Sequence, residues 1–205
     1  LWSACNFGQD LYFNPRNGGI YYWDAATELS GGGQVTGRAV DITSTTFSNV
    51  PATEIITGNY YEIRSVGTTN FTTIGAASNT VGVKFVATGV GTGTGVVFDP
   101  AIPSVAAYVT ITDERYLVAF GCNDAIAGSL VQDPMLIAWS DQENHQVWYP
   151  EVTNTAGTFR LAYGSRIITV EKTRQEILIW TDSALYSMQY LGPPYVYGFN
   201  PISAD

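Results

Sequence analysis

The densest cluster of titratable groups lies in WSDQENHQVW, where Asp141 and Glu143 flank His145. Two carboxylates beside an imidazole are the parts of acid–base catalysis, because histidine titrates near neutral pH and a close carboxylate tunes it. The setting favours a simpler role. Polar residues packed tightly between apolar runs close a hairpin, with Asp and Asn side chains bonding the turn backbone. His145 is the only histidine in the chain. A serine or cysteine triad would have to use it, and no G-x-S-x-G elbow accompanies it. A polar turn is therefore expected, and catalysis is not.

Other constellations are thinner still. The run GTGTG, Gly91 to Gly95, has the composition of a phosphate loop. No Lys-Ser/Thr follows it and no helix start is signalled, so the donors that hold a phosphate are missing. An irregular turn or bulged edge is expected there. Asp113, Glu114 and Asp124 lie near Cys122, but not at metal-ligand spacing. They read as solvated loop acids. Cys5 and Cys122 are the only cysteines. They fit neither C-x-x-C nor a dense disulfide scaffold. Buried free thiols are expected, as in a reducing cytoplasm, although two cysteines could pair if their Cα atoms approach. The chain is read as a non-enzyme with no cofactor and no metal.

The elements that carry these residues follow from composition and pattern. The 205 residues are 45% hydrophobic and 13% charged, with 21 Gly, 13 Tyr and 5 Trp. That mixture favours an all-β protein. No run of 18 apolar residues is present, so no membrane span is expected. The formal charge is −9. A protein that grips nucleic acid through phosphates is normally basic. This balance serves solubility, or, more sharply, a weakly repulsive wall around a DNA passage. The chain begins at Leu1, and both ends read as cut from a longer pattern.

Three strand-like stretches follow one another at Arg166 to Glu171, Glu176 to Thr181 and Leu185 to Tyr190. Thr173-Arg174 and Asp182-Ser183 sit where the chain must reverse. Short strands joined by tight turns make an antiparallel meander, the unit of sandwiches, barrels and propeller blades. An apolar pair, a Trp and a following Asp recur around Trp23, Trp139 and Trp180. The last two tryptophans are 41 positions apart, near the period of roughly 40–50 residues of propeller blades. The expected fold is all-β, with propeller-like meander blades over residues 1–51 and 101–205. At that period the host would supply about three blades, so a partial propeller is expected.

Between Val50-Pro51 and Ile102-Pro103 the texture changes to Gly, Thr, Val and Ala, without Trp. Strands are expected at Tyr60 to Val66, Val81 to Thr88 and Gly95 to Phe98. Residues 52–100 therefore read as an inserted small β-module, projecting from a loop that accepts it. Its VGTTNFTTIGAASNTVGVKF run resembles a module that recurs in phage virion proteins. WSDQENHQVW also resembles, one residue out of register, the Asp-box hairpin of sialidase propellers. Ser140 and Trp148 are correctly spaced, but Gln142 stands where that box has Asp.

The runs WSDQEN (Trp139 to Asn144), TNTAG (Thr153 to Gly157), GSRI (Gly164 to Ile167), TRQEILIWTD (Thr173 to Asp182), LYSMQYLGPP (Leu185 to Pro194) and YVYGF (Tyr195 to Phe199) resemble the tail-tube or nozzle proteins of short-tailed bacteriophages. NFGQDL, GGIYYWD and VTITDERYLVAFGCN extend the resemblance over about two thirds of the chain. The resemblance implies a β-propeller and a homo-hexameric ring. It implies docking on a tail adaptor, contact with fibres or spikes, and DNA passing without sequence-specific binding. The implied location is the virion tail, after assembly in the host bacterial cytoplasm. It carries no catalytic residues. A virion adhesin for host-surface carbohydrate is the competing function.

Two features of this segment bear on partners. Arg160, Arg166, Lys172 and Arg174, four of the nine basic residues, cluster in an acidic chain. They read as a solvated edge that blunts strand pairing, or as a contact face. Tyr186 and Tyr190 share one strand face with Met188 and lead towards Tyr195, Tyr197 and Phe199. Alternating apolar residues usually pack a core, and an aromatic subunit contact is the other reading. These eight arginines and aromatics are the candidate subunit interface.

Overall fold

The computed structural model describes residues 1–25, 39–42, 50–57, 60–98, 102–127, 129–145, 147–150, 152 and 154–204. Its fold is all-β, with four antiparallel sheets of four strands each. The first sheet runs β1 (Trp2–Phe7), β2 (Asp10–Pro15), β3 (Tyr21–Trp23) and β4 (Val40–Asp41). The middle sheet is β9 (Tyr108–Ile111), β10 (Leu117–Phe120), β11 (Leu136–Trp139) and β12 (Gly157–Arg160). The last sheet is β13 (Ile167–Lys172), β14 (Ile177–Thr181), β15 (Ala184–Gly192) and β16 (Val196–Ala204). In all three, each strand pairs with the next in sequence, which is the connectivity of an antiparallel meander.

The fourth sheet differs in order. β5 (Val50–Pro51), β6 (Tyr60–Ser65), β7 (Lys84–Val86) and β8 (Val96–Phe98) lie as β5-β8-β6-β7. Ile55, Ile63, Phe71, Phe85 and Val97 fill its core, and every member of that cluster comes from residues 50–97. The pairing Val50↔Val97 and Pro51↔Val96 starts this sheet two residues before the boundary expected from composition.

The three host sheets share their cores. Because side chains alternate across a strand, the middle sheet offers two faces. Val109, Ile111, Leu117, Ala119, Leu136 and Ala138 pack with Tyr12 and Ile20 of the first-sheet region. Val118, Phe120, Ile137 and Trp139 pack with Ile177, Ile179, Tyr186 and Met188 of the last sheet. Every residue of β10 and β11 is buried. Apolar runs without alternation are what a strand covered on both sides requires.

The opening strands of the three sheets lie side by side. Asn14, fully buried, donates to the Ala106 carbonyl at 2.8 Å, and Val109 N–H donates to Ser3 Oγ at 3.0 Å. Arg16 reaches further. Its Nη2 donates to the Ile168 carbonyl at 3.1 Å, and its guanidinium lies 4.9 Å from the Tyr108 ring centroid. Tyr108 Oη donates to the same carbonyl. At the other end of β13, Lys172 donates to the Ile111 carbonyl at 3.0 Å and pairs with Asp113 at 2.6 Å.

The tryptophan repeat does not mark equivalent strands. Trp23 and Trp139 end third strands, whereas Trp180 lies in a second strand. Its 41-residue spacing is therefore not a blade period. The long connection from Trp139 to Gly157 shifts the register of the repeat.

Candidate functional site

Asp141, Glu143 and His145 sit on one turn and face three different neighbours. Asp141 Oδ1 accepts from Thr155 N at 2.9 Å and from Thr155 Oγ1 at 2.7 Å. Glu143 takes a left-handed φ of 56°, and its carboxylate lies 3.8 Å from Arg115 with both side chains exposed. The His145 ring stacks on Tyr22 at 5.1 Å and 23°, with Tyr12 5.3 Å away. Burial holds its pKa below the ordinary histidine value, against an opposing pull from Asp10. Among the described residues no hydrogen bond joins the three side chains. Ser140 and Trp148 are buried, and Trp148 Nε1 donates to the His145 carbonyl at 2.7 Å. The arrangement is a hairpin closure tied down at both flanks. It offers no proton route.

The GTGTG run is a tight crossing, not an anion cradle. A Cβ on Gly93, at φ +96°, would lie 2.7 Å from Thr68 Oγ1, and one on Gly95 would lie 2.6 Å from the Phe71 ring. The flanking threonines bond reciprocally: Thr68 N–H donates to Thr94 Oγ1 and Thr94 N–H to Thr68 Oγ1, each at 3.1 Å. Strand β8 follows, so no helix N-terminus faces the loop. Cys5 and Cys122 are both free thiols, half-buried and buried respectively. Desolvation pushes the Cys5 pKa up to about 12 and raises that of Cys122 as well. Both are poor nucleophiles at neutral pH. Among the described residues no group of three His, Cys, Asp or Glu side chains is placed to hold a metal.

The candidate interface divides. Tyr186 and Tyr197 are buried, at 3% and 7% exposure, and belong to the core between the middle and last sheets. Tyr190 and Phe199 are half-buried and pack against that core. Tyr197 meets Tyr116 and Trp139 edge-on, both at 5.4 Å, while Phe199 stacks on Phe159 at 4.3 Å. Tyr195 alone stands free, at 76% exposure. The arginines divide as well. Arg160 is paired with Asp133 at 2.6 Å. Arg166 precedes β13 and Arg174 follows it, so the length of a six-residue strand, roughly 20 Å, separates them. The sequence cluster is therefore dispersed: Arg160 ends β12 of the middle sheet, and Arg166 and Arg174 flank opposite ends of β13 in the last.

Among the concave surfaces of this segment, one holds the exposed Tyr195. A cleft of about 470 Å³ is lined by Trp139, Asn154, Pro193, Pro194 and Tyr195, among others. An exposed tyrosine beside an amide is a possible sugar platform. The amide is already committed: Asn154 Nδ2 donates to the Tyr149 carbonyl at 2.8 Å, and its Oδ1 accepts from Ala156 N at 3.2 Å. Trp139 Nε1 is committed to the Thr155 carbonyl at 2.9 Å.

The sequence reading overlooked the outer faces of the two end sheets. In the first sheet Trp2, Leu11, Phe13, Tyr21 and Trp23 share the face turned away from the middle sheet. In the last sheet Leu178, Trp180 and Leu185 do the same. Among the described residues no helix is long and apolar enough to cross a membrane. No protein-family model, curated protein or solved structure matches the chain.

Proposed function

We propose that this chain is a structural part of a short-tailed phage virion, a nozzle component that lines or seals the path by which DNA leaves. The observation that carries the reading is the order of motifs in the host sequence, interrupted by a module with its own core. The nozzle-like runs fall on the first, middle and last sheets. The interruption falls on the one sheet whose core is built from residues 50–97 alone. The net charge of −9 suits a wall that DNA passes without adhering. Identical subunits in a hexameric ring, an adaptor above, and fibres or spikes beside it are the partners of this reading. The role is mechanical, with no turnover and no cofactor.

Electron microscopy of the purified full chain, with antibody labelling of tailed particles from cells that produce it, tests the proposal. The expected result is closed rings and label at the tail tip. Unassembled chains that bind a glycan array, with no label on tails, would replace it with the adhesin.

A further inference from the structure

The first and middle sheets meet along a seam whose two ends are closed by different chemistry. Near the start of β1 the ties are an amide and a hydroxyl. Asn14 donates to the Ala106 carbonyl and Val109 N–H donates to Ser3 Oγ, and neither tie titrates near neutral pH. At the other end the turn 141–148 leans on the first sheet through one imidazole. The His145 ring stacks on Tyr22 at 5.1 Å, lies 5.3 Å from Tyr12 and meets Phe7 edge-on at 6.5 Å. The turn itself belongs to the middle sheet. Trp148 is buried there, and its indole N–H donates to the His145 carbonyl at 2.7 Å.

Two features make this contact poised. The first is the Tyr12 hydroxyl, which is fully buried and has no hydrogen-bond partner among the described residues. An unmade buried hydrogen bond opposes the closed arrangement, because water would satisfy the group on opening. The second is the charge around the ring. Asp10 favours the imidazolium, but its carboxylate already accepts from Tyr22 Oη at 2.9 Å and from Ala25 N at 3.1 Å. Asp24 adds a negative charge near Tyr22, and the Cys5 thiol, opposite Tyr12 in register, is neutral. Against the two acids stands Arg115, whose guanidinium lies 4.7 Å from the Phe7 ring centroid. A proton on His145 would therefore place two cations around one phenyl ring. On the turn, Asp141 is engaged by Thr155 and Glu143 by Arg115. Desolvation outweighs the pull of Asp10, so the closed contact prefers the neutral ring.

We propose that His145 is an acid-sensitive latch: taking up a proton, it releases the turn 141–148 from the first sheet and uncovers the Phe7, Tyr12 and Tyr22 rings, while the sheets stay folded. The opening is local because the ties near the start of β1 do not titrate, and proteins open in such units at less cost than they unfold. Histidine is the side chain whose ordinary pKa allows this within a mildly acidic range. The latch does not rest on the tail reading.

The test uses the full chain. The single histidine gives one C2–H signal in proton NMR, and amide hydrogen exchange at pH 7.5 and 5.5, corrected for its intrinsic pH dependence, reports opening. The signal should titrate below 6.5. Segments 7–13 and 141–148 should lose protection by up to roughly tenfold for each pH unit between the open and closed pKa values, while 177–190 in the last sheet keeps its own. His145→Phe retains a ring but takes no proton, and should keep the turn protected at both pH values. His145→Gln, which serves if the Phe variant fails a circular dichroism check of folding, should leave the turn equally open at both. Tyr12→Phe removes the unpaired hydroxyl and should move the histidine midpoint lower. Protection of 141–148 that is unchanged at pH 5.5, or lost equally in His145→Phe, would overturn the latch. So would simultaneous loss over 177–190, which is global unfolding, and an unmoved midpoint in Tyr12→Phe would remove the part given to the hydroxyl.

Discussion

Strands β10 and β14 occupy the same place in their sheets and are almost equally apolar, LVAF against ILIWT. Their surroundings differ. All of β10 is buried, whereas β14 alternates buried and half-exposed. The side chains that make the difference, Leu178 and Trp180, are apolar where solvent meets them. A strand covered on one side normally spends its outer positions on polar residues. The contrast teaches that apolar composition alone does not tell whether one face of a strand is covered or both.

The sharpest way to break this comparison is a matched truncation. Phe120→Ala opens a cavity in a face covered on both sides and should cost about 3–5 kcal/mol. Trp180→Ala at the corresponding second-strand position should cost about 1 kcal/mol or less, because solvent already reaches it. Urea unfolding at low protein concentration measures both. Equal costs would mean that the last sheet is as enclosed as the middle one.

Gly157→Ala tests how tightly the core between the middle and last sheets is filled. A Cβ there would sit 2.5 Å from the Trp139 ring, so overpacking of about 1–3 kcal/mol is expected. A thermal melt reads it, and an unchanged midpoint would show that the ring has room to move.

The first sheet packs against a half-buried histidine, whereas the shifted groups of the last sheet are the carboxylates Glu176 and Asp182, held low by hydrogen bonds from Ser187 and Ser165. His145 is packed among Phe7, Tyr12 and Tyr22, and its folded pKa lies below the ordinary 6.5 because burial disfavours the charged ring. The unfolded chain then binds the proton more readily. The stability from the neutral, packed ring is complete above the unfolded pKa and declines as pH falls below it. Unfolding free energy should drop between pH 7.5 and 5.5, and His145→Gln should flatten that slope. A slope that persists in the variant would assign it to other groups.

The smallest effect is expected at the edge of the middle sheet. Arg160 and Asp133 are close, but their side chains are 60% and 31% exposed. Arg160→Ala should change stability by roughly 0.5 kcal/mol or less. A larger loss in the associated protein than in the dissociated one would return Arg160 to the interface.

Much of this architecture was legible in the residues. The expected strands at Arg166 to Glu171, Glu176 to Thr181 and Leu185 to Tyr190 fall within two residues of β13, β14 and β15 at every end. Turn residues and apolar runs are local signals, and these hairpins are local. The polar turn around Asp141 and the β-rich insert were legible for the same reason. Val50–Pro51 was missed because two residues carry no period, and their place is set by pairing with β8. For Tyr186 the residues left core packing and a subunit contact both open, and its burial between two sheets takes the first. Alternation tells which residues share a face, but not whether another sheet lies on it. Arg166 and Arg174 looked clustered because eight positions are few in sequence, yet an extended strand turns them into a long distance.

The pairing of Val50 with Val97 has a consequence for how the molecule bears load. The module enters and leaves through neighbouring antiparallel strands, roughly 5 Å apart. Tension drawn along the host chain from one side of the module to the other meets the β5–β8 ladder first. Among the described residues two residue pairs resist it there, backed by Ala52 N–H donating to the Gly95 carbonyl at 2.9 Å, and they would open one after another like a zipper before the core around Phe71 and Phe85 is stressed. The module can therefore act as a fuse, yielding a length of chain before the meander sheets on either side are strained.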